Sequence, residues 1–271
     1  MTKKIPQLSA EQLANELEID LETIARKKAL DETGFYKDHE IEHVYWGRGF
    51  DYASLGMSYA LNQKFDEAKA AFKKAAEYQL RPLKMAFDPN APEFIGEKVT
   101  MGKESIDVVS CFNCAMAAGE LAIAKEACLL YPEEQFPGNR KPDTTDDLVH
   151  ALKAWFNGDH DKASAHCQKR LDEYTAKPSK KISGRSNYFT LHLALWGIIH
   201  KDALSFEDGI KRNLAIWHHG ARYGEESGTT RGHYAEFAVA LTNLGIHAGM
   251  EQPVVDPFIP QGLVWSKSVR D

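Results

Sequence analysis

Residues 51–78, "DYASLGMSYALNQKFDEAKAAFKKAAEY", decide the fold class. Apolar and small residues recur every three or four positions on both sides of the polar "NQKFD". That is the period of two helices joined by a short turn. Gly56 and Ala68 are small where two antiparallel helices would approach closely, and Tyr52, Tyr59, Phe65 and Phe72 fill the space on either side.

Tyr52, Leu55, Gly56 and Tyr59, followed by Phe65, Ala68, Phe72 and Ala75, resemble the two helices of a tetratricopeptide repeat across residues 50–80. The theme continues without the sequence. "ESIDVVSCFNCAMAAGELAIAKEACLLYP" reads as a pair hinged near Gly119, and "TTDDLVHALKAWFNGDHDKASAHCQKRLDEY" as a pair capped around Thr144 and turning at "NGDHD". "SNYFTLHLALWGIIHKDALSFEDGIKRNLAIWHHGARYG" gives a fourth pair, with Ser205 and Asp208 capping its second helix. Upstream, Ser9 and Gln12 form a capping box. Leu13, Leu17, Leu21 and Ile24 make the inner stripe of that first helix, which Gly34 ends. A last helix spans Gly232 to Met250, and the prolines of "EQPVVDPFIPQGLVW" force an extended tail after it. The expected fold is all-α: one domain over residues 1–271, an irregular right-handed superhelix of antiparallel helix pairs. A two-domain division would fall near Pro137 to Pro142.

The 271 residues, 43% hydrophobic and 27% charged, suit a globular chain with a substantial core. No apolar run reaches the roughly 20 residues of a membrane span. "MTKKIPQLSAEQ" lacks the hydrophobic stretch of a secretory signal, so a cytoplasmic protein is expected. A net charge of −6 argues against a broad nucleic-acid surface and fits a partner with a basic face.

"DHEIEH", Asp38 to His43, spells the H-E-x-x-H of zinc peptidases. In that chemistry two imidazoles on one helix face hold the metal, and the glutamate deprotonates its water. Here Asp38, Glu40 and Glu42 also suit the start of a helix, with Ile41, Val44 and Tyr45 opening its buried face. Charged Glu42 stands between the histidines, Trp46 and Gly49 replace the Gly and His of the extended motif, and Glu67 belongs to the hairpin. His218 and His219 are adjacent and point about 100° apart on a helix. Cys111 and Cys114 have C-x-x-C spacing, but they lie in an apolar helical run without a second pair, as buried hydrophobes do. We expect no catalytic residue, no metal and no cofactor; a zinc hydrolase through His39, Glu40 and His43 stays as the third reading.

From Asn187 onward the chain resembles the immunity protein 49 family of bacterial polymorphic-toxin systems. The resemblance rests on "LHLALWGIIHKDALSFEDGIKRNLAIWHHGARYG", "GHYAEFAVALTNLGIHAGM" and "VVDPFIPQGLV", with the His219-to-Tyr223 helix tail and Pro260 near the end. It implies an all-helical, non-catalytic inhibitor that binds and neutralises a cognate toxin effector, for example a nuclease; with the charge and hydropathy above, neither nucleic acid nor membrane is expected as partner. Tyr, Trp and Arg favour binding hot spots. The loop "ARYGEESGTTRGHY" therefore supplies the candidate toxin-binding residues Tyr223, Glu225, Glu226 and Arg231. The runner-up is a tetratricopeptide-like adaptor that takes a peptide or helix in its groove.

Overall fold

The computed structural model describes residues 4–36, 40–133, 143–178 and 182–266. Among these, every regular element is helical. The ten α-helices are α1 (Ala10–Glu32), α2 (Ile41–Leu61), α3 (Phe65–Phe87), α4 (Ser105–Ala118), α5 (Leu121–Leu130), α6 (Thr144–Phe156), α7 (His160–Ala176), α8 (Gly184–His200), α9 (Ala203–Tyr223) and α10 (Glu236–His247). Consecutive helices pack on one another as the periodicity predicts, in the pairs α2/α3, α4/α5, α6/α7 and α8/α9.

The close approaches are made by small residues. A side chain on Gly56 of α2 would meet the Phe72 ring of α3 at 2.7 Å. On α9, Gly209 faces the backbone of Ala194 in α8, and a side chain there would meet the Ala194 nitrogen at 2.5 Å. Ridge-into-groove packing at such short range needs a residue without a Cβ. Gly119, at φ 87, ends α4 in the left-handed conformation expected of its hinge.

Helix α10 folds back onto α4 and also touches α8 and α9. With the contacts α4/α6 and α6/α8, this closes a cycle of four helices around one continuous core. The core includes Phe112 and Met116 of α4, Leu148 and Leu152 of α6, Leu191 and Leu195 of α8, and Ala238 and Leu241 of α10. The chain beyond α10 covers one end of the cycle. Asn243, fully buried, donates to the carbonyls of Met116 (2.9 Å) and Leu263 (3.0 Å) and accepts from the Trp265 amide. The Trp265 indole donates to the Met116 carbonyl as well. These bonds add to the Gly119 amide, which also donates to the Met116 carbonyl at the end of α4.

Several local expectations need correcting. The N-cap of α6 is Asp143 rather than Thr144, in a reciprocal box with Asp146. Asp202 caps α9, and Ser205 donates to it instead of acting as the cap. The last helix is shorter than Gly232 to Met250, because Arg231–His233 form a separate 3-10 turn. Leu21 and Ile41 are exposed rather than inward-facing. The inner face of α1 is mixed: Leu17 is buried, while Asp20 accepts from Ser54 and Ser58, and Lys27 pairs with Asp51. The proposed boundary at Pro137 to Pro142 lies outside the described residues.

Candidate functional site

The loop carrying Tyr223, Glu225, Glu226 and Arg231 joins α9 to α10. Tyr223 is the last residue of α9, half-exposed, with its ring against His219 at 5.0 Å. Glu225 and Arg231 are exposed, and Glu226 is partly buried. The loop holds its own shape. The Thr229 hydroxyl donates to Glu226 and accepts from the Gly232 amide at 3.1 Å, and the Thr229 amide donates to the Glu226 carbonyl. Gly232 is pressed against the Glu226 backbone, where a side chain would not fit. Arg231 and Glu226 pair loosely at 3.8 Å. Behind the loop, the Nδ1 and Nε2 atoms of His233 lie 2.9 Å and 2.8 Å from the carbonyl oxygens of Thr229 and Pro6. The loop is thereby tied to the segment leading into α1. The four candidate residues lie on one short segment whose turn is closed by these hydrogen bonds.

The zinc-like motif is arranged differently from a peptidase helix. His39 lies outside the described residues. Glu40 is the N-cap of α2, with extended backbone, so Glu40 and His43 are not carried within one helix. His43 and Glu40 are largely exposed and 3.0 Å apart, and both meet the Thr100 hydroxyl. Glu42 is buried, its carboxylate 3.4 Å from the Thr100 amide. The three side chains thus tie the start of α2 to the loop before α4.

His218, His219, His247 and the four cysteines have structural surroundings. His218 faces Asp256 and Phe258, His219 faces Tyr223, and His247 lies between Trp155 and Trp265. Cys111, Cys114, Cys128 and Cys167 are buried free thiols whose pKa values burial pushes up, which makes poor nucleophiles of them.

A second polar group escaped the sequence reading. On facing sides of α6 and α7, Asp147, His150 and His166 gather with Lys169 and Arg170. Burial works against the Asp147 carboxylate. Hydrogen bonds from His166 and Lys169, with the charge of Arg170, outweigh it and hold its pKa well below the usual range. The only hint in the sequence is the three-residue spacing of Asp147 and His150, which places both on one helix face.

No protein-family model, curated protein or solved structure matches the chain.

Proposed function

We propose that the chain is an immunity protein, which binds a cognate bacterial toxin effector and neutralises it by occlusion. The observation that carries this reading is the α9–α10 loop. It offers an exposed tyrosine, carboxylates and an arginine on a backbone fixed by its own hydrogen bonds. A rigid surface loses little conformational entropy on docking, so more of its contact energy goes into affinity. The resemblance of residues 187–271 to the immunity protein 49 family points the same way. The net charge of −6 suits a basic partner such as a nuclease and would speed encounter with it. In this reading the helix pairs wind as a short right-handed superhelix, tetratricopeptide-like at α2/α3, with the C-terminal segment lying across it as a tail. The protein acts in the cytoplasm of the toxin-producing cell and performs no chemistry.

One feature favours the runner-up, an adaptor for a peptide or helix. On α2 and α3, Arg81 lies over the rings of Tyr45 (4.7 Å) and Tyr78 (5.7 Å), Tyr78 stacks on Tyr52, and Lys74 lies over Tyr52. Such a ladder of tyrosines and cations is a binding surface of hot-spot composition.

Co-expression with the product of the adjoining gene tests the proposal. Restored growth and an equimolar complex on a sizing column are expected. A well-expressed protein that neither rescues growth nor co-elutes would overturn it. Arg81→Ala separates the two surfaces: it leaves the complex intact if the α9–α10 loop binds, whereas Tyr223→Ala weakens it.

A further inference from the structure

We infer that the carboxylate of Glu236, where the α9–α10 loop enters α10, receives an arginine or lysine side chain of the bound partner. The inference deepens the immunity reading and rests on it. Glu236 is the first residue of α10 and follows directly on the turn at Arg231–His233 and Tyr234. It is only partly buried, and among the described residues no hydrogen bond or ion pair reaches its carboxylate. Arg231 pairs with Glu226 instead, at 3.8 Å. Burial raises the Glu236 pKa, and the charge of Arg231, acting without contact, offsets that only in part. A half-buried carboxylate without a partner costs the folded chain stability, and a cation brought by a partner recovers it.

The surroundings fit a cation. The Glu236 charge reaches Cys114 of α4, Tyr234, and Tyr188 of α8, which places the carboxylate where these elements meet. Gln79 of α3 donates to the Cys114 thiol and keeps an Oε1 without a partner, and Asn113, the residue before Cys114, keeps such an Oδ1. Both side chains are 4% exposed. Carboxylate and amide oxygens only accept hydrogen bonds, whereas guanidinium and ammonium groups only donate them. The approach is apolar. Helices α2 and α4 both pack on α3 and hardly on each other, which leaves a furrow above Gln79; a side chain on Gly49 of α2 would meet the Gln79 Cγ at 2.5 Å. Phe50, set edge-on to Trp46, and Ile106 of α4 lie exposed along its rim, and Trp46 bridges the furrow to Asp107. Tyr234, stacked on Phe72 of α3, closes the other end, beside Glu236. Apolar contacts on the rim would exclude water around the ion pair, the setting in which a charged contact dominates an interface.

The test uses the full chain in two arms. In the first, side-chain carboxylate NMR signals are followed while butylguanidinium alone is added, with 1-butanol as the neutral control. The Glu236 signal should shift saturably with butylguanidinium and stay in place with 1-butanol. In the second, the complex with the product of the adjoining gene is measured by calorimetry. Glu236→Gln should weaken it about a hundredfold, and Glu22→Gln, on the exposed side of α1, by less than about threefold. Because Glu236→Gln breaks no bond within the chain, it should melt no lower than wild type. The site is overturned by absence of a saturable shift at Glu236, by a lower melting temperature of Glu236→Gln, or by a complex that this variant leaves unchanged. Absence of any wild-type complex refutes the immunity reading instead, and the butylguanidinium titration then decides alone whether Glu236 receives a cation.

Discussion

Lowering the pH from 7 to 5 should destabilise the chain through His192. This imidazole is fully buried in α8; its Nδ1 donates to the Tyr188 carbonyl at 2.7 Å, and Nε2 has no partner among the described residues. Burial pulls its pKa from 6.5 down to about 4, against the smaller opposing pull of the Tyr188 carbonyl. Between those values the unfolded chain binds a proton that the folded chain excludes, so stability rises with pH through the window and falls as acid is added. At pH 5 the deficit relative to pH 7 is about 2 kcal/mol, approaching about 3 kcal/mol at pH 4 and below. Urea unfolding of wild type and His192→Leu at both pH values isolates the effect, because carboxylate contributions are common to the two proteins and cancel in the double difference. The leucine variant should lose about 2 kcal/mol less than wild type between pH 7 and pH 5. Identical pH dependence in both would refute a neutral, solvent-excluded His192.

Three further outcomes are expected. Gly209→Ala should cost about 3 kcal/mol, because its Cβ meets the Ala194 backbone, which cannot turn aside. Gly56→Ala should cost only about 1 kcal/mol, since the Phe72 ring can shift and alanine favours the helix; urea melts that reverse this order would contradict the packing described. Asn243→Leu leaves the Leu263 carbonyl and the Trp265 amide without their partner. It should cost about 3 kcal/mol and open the chain beyond Met250 to limited proteolysis, whereas a cleavage pattern like wild type would show that Asn243 does not hold that segment. Tyr223→Ala and Arg231→Ala should change stability by less than about 0.5 kcal/mol by thermal melting, given their exposure. Each should weaken toxin binding by about 2 kcal/mol, measured by calorimetry, and unchanged affinity in both would remove the loop from the interface.

The helical class and the four pairs were legible because helix period and turn residues are local: Gly56, Gly119 and Gly158 each mark a place that a turn or a close crossing demands. The caps Asp143 and Asp202 were misplaced by one to three residues because Asp, Thr and Ser crowd both helix starts, and only the hydrogen bonds distinguish them. Leu21 looked inward by spacing. Asp20 and Lys27 took places at the inner face instead, since α2 presents Ser54, Ser58 and Asp51 to them. The return of α10 onto α4 and the partnership of His166 with Asp147 join residues far apart in the chain, and no periodicity carries that information. The H-E-x-x-H spelling shows the converse. A regular spacing brings side chains to one face only when a single helix carries them, and Glu40 is the N-cap that precedes the helix holding His43.

The most direct test of the proposed inhibition by contact alone is its stoichiometry. A fixed amount of the cognate toxin, assayed for its own activity, is titrated with the purified chain. Occlusion predicts a linear loss that ends at one chain per toxin and does not deepen with incubation. Complete inactivation by a small fraction of an equivalent, progressing with time, would mean that the chain turns over a substrate, and the account would fall.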